Sequence, residues 1–303
     1  MITRVLITGA NAGLGKETAK QLASNSEIEK IYLGCRNMEK ALAAKLELEQ
    51  LTGRSIFEVL IIDVSNQVSV IEAVQRLDCS VDALIMNAGG TGGKNFNKIN
   101  SNGVTEIFAV NLLGHSLLAQ ELLKAGKLLK VAIYAGSEAA RGVKEMGMKR
   151  PELPTSSEEE FASVCNGSFF KKTQDATVSY GSIKYMGALW MSAMARRYPH
   201  VKFITMSPGA TTGTEGFNTL PLFKQYIMKS MMQVMLWFNK VHTVEIGAKR
   251  YLQGLYNNDL ESGLFYASQK GLTGPLCDQS LLFPDLNSEQ YQENAYNAIQ
   301  RFL

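Results

Sequence analysis

At 303 residues with 46% apolar side chains, the chain can bury one sizeable core, and a single domain spanning 1–303 with local excursions is expected rather than two domains. A formal net charge of +3 is too mild to support nucleic-acid binding, and Cys35, Cys79, Cys165 and Cys277 form neither a paired metal-ligand pattern nor a C-x-x-C, as suits thiols in a reducing compartment. Met1 directly precedes the first strand and no uncharged run of 18 apolar residues occurs, so neither a cleavable leader nor an integral membrane segment is expected, and a cytoplasmic location is.

In chain order, Arg4-Val-Leu-Ile-Thr8 reads as a strand buried on both faces. It feeds Gly9-Ala-Asn11-Ala-Gly13-Leu14-Gly15 and then a helix beginning at Lys16. Strand, glycine turn and helix together form an arrangement in which backbone N–H groups and a helix N-terminus hold a pyrophosphate. Lys30 to Cys35 is a second strand, Met38 to Leu51 a helix and Phe57 to Asp63 a third strand. The second strand runs out through Cys35 into Arg36, with no acid to bind a ribose 2′-hydroxyl. Arg36, with Lys16 in the loop as a second cation, therefore points to NADP(H). Val68 to Leu77 is helical, with Asp63 ahead of it suited to an N-cap.

Ala83 to Met86 is a strand that ends in Asn87-Ala88-Gly89, and a long helix from Val104 to Lys124 carries Asn111. Lys130 to Ala135 is a strand closed by Ser137, and Val201 to Ser207 another, followed by Pro208-Gly209. Between them lies a helix containing Tyr180-Gly-Ser-Ile-Lys184. Thr243 to Leu255 is the next helix and Gly263 to Ala267 the seventh strand. Alternation of this kind predicts an α/β Rossmann fold, a doubly wound seven-stranded parallel sheet. Positions i and i+4 share a helix face, so the Lys184 ammonium can lie near the Tyr180 phenol and favour its ionised form. A free tyrosine titrates near pH ~10, and a nearby cation moves it toward general acid/base use.

The ordered set Thr8-Gly9-x-x-x-Gly13-x-Gly15, Asn87-Ala88-Gly89, Asn111, Ser137, Tyr180-x-x-x-Lys184 and Pro208-Gly209 resembles the short-chain dehydrogenase/reductase family over roughly residues 2 to 267. The resemblance implies NADP(H)-dependent redox chemistry between a carbonyl compound and an alcohol. By that likeness, Tyr180 exchanges the proton with the substrate oxygen, Lys184 lowers the tyrosine's pKa and binds the nicotinamide ribose, Ser137 binds the developing oxyanion, and Asn111 holds a water that extends the proton path. Asp63 and Val64 would meet the adenine, and Thr212 the nicotinamide carboxamide. The run from Gly13 to Ala19 and Cys35-Arg-Asn37 are similar to retinol dehydrogenase-type enzymes. The long insertion, Ala210-Thr-Thr-Gly213 and Ser262-Gly-Leu-Phe-Tyr266 are similar to light-dependent protochlorophyllide reductases, although Ala210 stands where that group carries a cysteine.

The insertion spans 138–179 and includes Ser156-Ser-Glu-Glu-Glu160, a helix start with a capping box. A substrate lid is expected over 211–242, rich in Met and aromatic residues and suited to a lipophilic substrate. Packing of this segment on the core, or against a second subunit, is an equal reading. Lys224, Lys229 and Lys240 flank its apolar positions and fit a peripheral membrane contact. Ala188, Met191 and Ala195 on the Tyr180 helix could pack a homo-oligomer interface, and a monomer suits the sequence equally well. A non-catalytic NADP(H)-sensing or scaffolding protein is the reading from a different class, and the complete tetrad weighs against it.

Overall fold

The computed structural model describes residues 1–92, 95–143, 148–171, 176–211 and 241–303. Its strands are β1 (Arg4–Thr8), β2 (Lys30–Cys35), β3 (Phe57–Ile61), β4 (Val81–Met86), β5 (Leu128–Ala135), β6 (Lys202–Met206), β7 (Phe265–Ser268) and β8 (Leu276–Asp278). They form one sheet in the order β3-β2-β1-β4-β5-β6-β7-β8. The first seven run parallel to their neighbours, and β8 pairs antiparallel with β7. This eighth strand was absent from the sequence reading. It is three residues long and half-buried throughout, too short for any periodicity to register.

The helices are α1 (Gly13–Ala23), α2 (Met38–Thr52), α3 (Gln67–Arg76), α4 (Glu106–Phe108), α5 (Gly114–Lys124), α6 (Glu158–Cys165), α7 (Ala176–Arg197), α8 (Val244–Tyr256) and α9 (Glu289–Gln300). Alternation along the strands splits the core. Val5 and Ile7 join Leu22, Leu48 and Tyr251 from α1, α2 and α8, whereas Leu6 joins Val70, Leu118 and Trp190 from α3, α5 and α7 on the other face. Each fully buried Leu or Ile stabilises the fold by about 1.5–3 kcal/mol relative to exposure, so a charge at Leu6 would disrupt the second layer. The strand order reverses between β1 and β4, and this opens a crevice at the C-terminal strand ends.

Local chemistry sets the helix ends and departs from expectation twice. Asn66, not Asp63, caps α3, its side chain accepting from Ser69 N. Asp63 instead closes a turn by accepting from the Ser65 N–H at 2.9 Å and hydroxyl at 2.7 Å. Ser157 caps α6, and Glu160 reaches back to the N–H groups of Thr155 and Ser156 rather than to the cap's own N–H. Further along, α9 packs on α7 and α6. Ala188 and Met191 are therefore buried within the chain itself, in one cluster with Ala295, Ala298 and Ile299, and are not free to line an interface.

Candidate active site

The glycine loop leaves β1 at Thr8 and enters α1 at Gly13. Gly9 takes a left-handed φ of +65°, and a Cβ on Gly15 would stand 2.4 Å from the Gly9 carbonyl oxygen, so neither position accepts another residue without strain. Ala12 precedes α1 with no side-chain cap, and the first turn holds no acid. Its N–H groups are thus available to an anion. Thr8 organises the neighbouring strand end: its hydroxyl oxygen accepts from Asn87 N at 2.9 Å and Ala88 N at 3.0 Å, while Asn87 Nδ2 donates to Thr8 O at 2.9 Å. This arrangement fits a dinucleotide. Asn11 belongs to the glycine loop and Leu14 to the first turn of α1, while Asp63, half-buried, and Val64, buried, follow β3.

Arg36 is exposed directly after β2, with no ion pair among the described residues. Lys16 corrects an expectation. Its ammonium is bound to Glu47 on α2 at 2.8 Å, so its charge is already balanced and the basic character of this corner rests on Arg36.

The four candidate residues Asn111, Ser137, Tyr180 and Lys184 gather at the ends of β4 and β5. The long helix expected around Asn111 is divided into α4, a π-helical stretch Ala109–Leu113, and α5. Asn111 sits in the π stretch, where the wider turn aims its side chain at Gly90: Nδ2 donates to Gly90 O at 2.7 Å and to Ile107 O at 2.8 Å, and Oδ1 accepts from Gly90 N at 3.1 Å. Its carbonyl oxygen receives the Tyr134 hydroxyl at 3.0 Å and lies 3.2 Å from His115 Nδ1. Ser137 caps the 3-10 turn Glu138–Arg141 and is hydrogen-bonded to the Tyr180 phenol. Lys184 is buried, donates to Ala135 O at 2.8 Å and lies 5.4 Å from the centre of the Tyr180 ring.

Burial governs the charge of both α7 groups. It pushes the Tyr180 phenol up to about 12, against the opposing hydrogen bond from Ser137, and the Glu138 carboxylate adds to the rise. Burial likewise brings Lys184 down to about 7. The sequence reading expected the lysine to lower the tyrosine; burial is the largest influence on the phenol and raises it.

Four residues of this region escaped the sequence reading. His115, four residues after Asn111, bridges to the Thr8 hydroxyl at 3.0 Å, and its burial pushes it down to about 3. Tyr134 lies beneath the Lys184 ammonium at 4.7 Å. Glu138 and Arg250 form a buried pair beside Ser137. Only adjacency to Asn111 and Ser137 could have flagged His115 and Glu138, while Tyr134 reads as strand core and Arg250 as a helix surface. Pro208 is buried and Gly209 follows it at the end of β6. Thr212 and most of the 211–242 lid lie outside the described residues.

A parallel sheet with a glycine loop at its switch point and a Ser-Tyr-Lys cluster beside it defines an α/β dinucleotide-binding architecture. The short chain dehydrogenase family model matches residues 3–141. Human retinol dehydrogenase 11 is 35% identical over 123 residues, 40% of this chain and 37% of that protein. Short chain dehydrogenase rstn4 of Aspergillus nomiae is 27% identical over 238 residues, 76% of this chain and 63% of that protein. Among solved structures, the L-sorbose reductase of Gluconobacter frateurii, complexed with NADPH and L-sorbose, aligns with TM-score 0.64 at 14% identity over 89% of this chain and 96% of that one. The NADPH-bound carbonyl reductase from chicken fatty liver aligns with TM-score 0.59 at 19% identity, over 90% and 99%. Over residues 3–141 the chain is thus similar to the short chain dehydrogenase family, and the solved structures share its fold. It spans less than two thirds of the length of the curated relatives it matches. Among the described residues, no helix is long and apolar enough to cross a membrane.

Proposed function

We propose that the chain is an NADP(H)-dependent oxidoreductase acting between a lipophilic carbonyl compound and its alcohol, with Tyr180 as general acid/base. The observation that carries this reading is the convergence of Ser137, Tyr180 and Lys184 at the end of β5, in a sheet whose first strand leads into the uncapped N-terminus of α1. Bound at that crevice, the nicotinamide cofactor supplies the hydride. The glycine loop and α1 N-terminus hold its pyrophosphate, and the exposed Arg36 suits a 2′-phosphate.

A phenol held near 12 is fully protonated at neutral pH, and so stands ready to donate to the substrate oxygen in the reduction direction. Ser137 supplies a second hydrogen bond to that oxygen. Lys184, when protonated, offsets the phenolate left behind. Asn111 fixes the Gly89-Gly90 turn that borders Lys184. The lipophilic substrate class is drawn from the likeness to retinol dehydrogenases and from the apolar composition of the lid.

Fluorescence titration of NADPH and NADH, followed by a panel of lipophilic aldehydes and ketones, tests the proposal. NADPH-selective binding, with turnover abolished in Tyr180→Phe at unchanged NADPH affinity, is expected. Absence of binding to both cofactors would overturn it.

A further inference from the structure

Beside Ser137 lies a buried polar cluster to which the redox chemistry assigns no task. Glu138 is 3% exposed and Arg250 on α8 5%. Glu138 Oε1 accepts from Ser268 N at 3.2 Å and Ser268 Oγ at 3.0 Å, with Arg250 Nη1 3.5 Å away. Its other oxygen accepts from the Ser207 hydroxyl. That hydroxyl oxygen in turn accepts from Gly209 N at 3.2 Å. Arg250 completes the frame: Nη1 donates to Ser207 O at 3.2 Å, and Nη2 to Ser268 Oγ at 3.1 Å and Gly274 O at 2.8 Å. Both ends of the Pro208-Gly209 turn are therefore held from one carboxylate and its counter-ion. That carboxylate belongs to the residue next to Ser137.

A buried carboxylate and guanidinium are costly to desolvate, and an apolar pair of similar volume would commonly stabilise as well or better. Stability alone thus gives no reason for ions here. What the pair supplies is geometry: Ser137 on the β5 side and the Pro208-Gly209 turn on the β6 side are tied through the Ser207 hydroxyl, with Arg250 holding the Ser207 carbonyl. The proposed function puts the substrate oxygen at Ser137, and the family resemblance implies that Pro208-Gly209 borders the cofactor, so reaction needs these two held in register.

We infer that Glu138 is a positioning residue, paired with Arg250, that sets the distance between Ser137 and the Pro208-Gly209 turn through the Ser207 hydroxyl. This rests on the proposed redox reading of the site. The Glu138 carboxylate also faces Tyr180, which is further surrounded by Lys184 on its own helix, Tyr134 from β5 and Tyr251 from α8. Removing that negative charge makes the phenol easier to ionise, so the alkaline limb of the rate profile moves to lower pH.

Glu138→Gln and Ser207→Ala are compared with the wild-type chain in steady-state kinetics with NADPH and the best carbonyl substrate, in NADPH titration, and in amide hydrogen exchange at Gly209. Both variants are expected to lose roughly ten- to hundredfold in kcat, with NADPH dissociation constants within about twofold and faster exchange at Gly209. Only Glu138→Gln should shift the alkaline limb. Ser207→Ala keeps the ion pair and decides the matter if Glu138→Gln does not fold. Unchanged kcat, limb and Gly209 exchange would overturn the inference, as would a lowered melting temperature with unchanged kcat, since a mere strut would behave so. If no carbonyl compound of the panel elicits NADPH oxidation by the wild-type chain, the redox reading fails by itself, and Gly209 exchange in Glu138→Gln still decides whether the tie exists.

Discussion

Replacing Lys184 by Met separates the chemical value of the buried amine from its structural cost. Its nitrogen lies 5.4 Å from the Tyr180 ring centre, where a unit charge acting through an effective dielectric of about 20 is worth about 3 kcal/mol. That equals about two pKa units on the phenol and roughly a hundredfold in rate. Stability should move the other way. Burial lowers the amine from 10.5 to about 7, so carrying the ammonium costs the folded state about 5 kcal/mol wherever the group is charged in both states. For a base depressed in the folded protein, this cost is fully present below pH 7 and fades between 7 and 10.5, because the unfolded chain still binds the proton there. Leaving Ala135 O without its donor returns about 1–3 kcal/mol. Lys184→Met should therefore be about 2–4 kcal/mol more stable at pH 6, from urea unfolding, and lose that gain as pH approaches 10.5. Its kcat at pH 6 should fall roughly a hundredfold. Loss of activity together with loss of stability, or kcat unchanged at pH 6, would refute the electrostatic reasoning.

Three further predictions follow from other contacts. His115, held at about 3 by burial, is a base depressed from 6.5; its contribution is present above pH 6.5 and is lost as pH falls to 3, a loss of about 5 kcal/mol. His115→Gln should flatten this acid arm in pH-dependent unfolding, and a variant arm parallel to wild type would exclude His115 as the cause. Arg36→Asp should weaken NADPH binding roughly ten- to hundredfold and raise the relative affinity for NADH, while Lys16→Ala, whose charge is already paired with Glu47, should change it little; equal effects in the two titrations would contradict the assignment. With α9 covering α7, the chain should sediment as a monomer, and a dimer whose interface includes the α7 face would contradict this packing.

Local rules made much of this molecule legible. Continuous apolar runs mark β1, β4 and β5 because strands covered on both faces need no polar side, and Gly9 and Gly15 are demanded by the tightness of a strand-to-helix turn. Tyr180 and Lys184 share a helix face by spacing alone. The three-residue β8 and the helix α9 carried no comparable signal. The cap offered as an alternative role for Asp63 falls instead to Asn66, three residues on, at the start of α3.

Sequence alone determined the parallel α/β order and the glycine loop, and it pointed to the four residues proposed to react, since each signal depends on neighbours within a turn of helix or a single strand. Tertiary structure decided their charge and their supports. Lys16 meets Glu47 across 31 positions, and Glu138 meets Arg250 across 112 and Ser268 across 130. The rise of Tyr180 and the fall of Lys184 come chiefly from their burial. Desolvation and long-range pairing depend on what surrounds a group in three dimensions, and no local pattern along the chain encodes that.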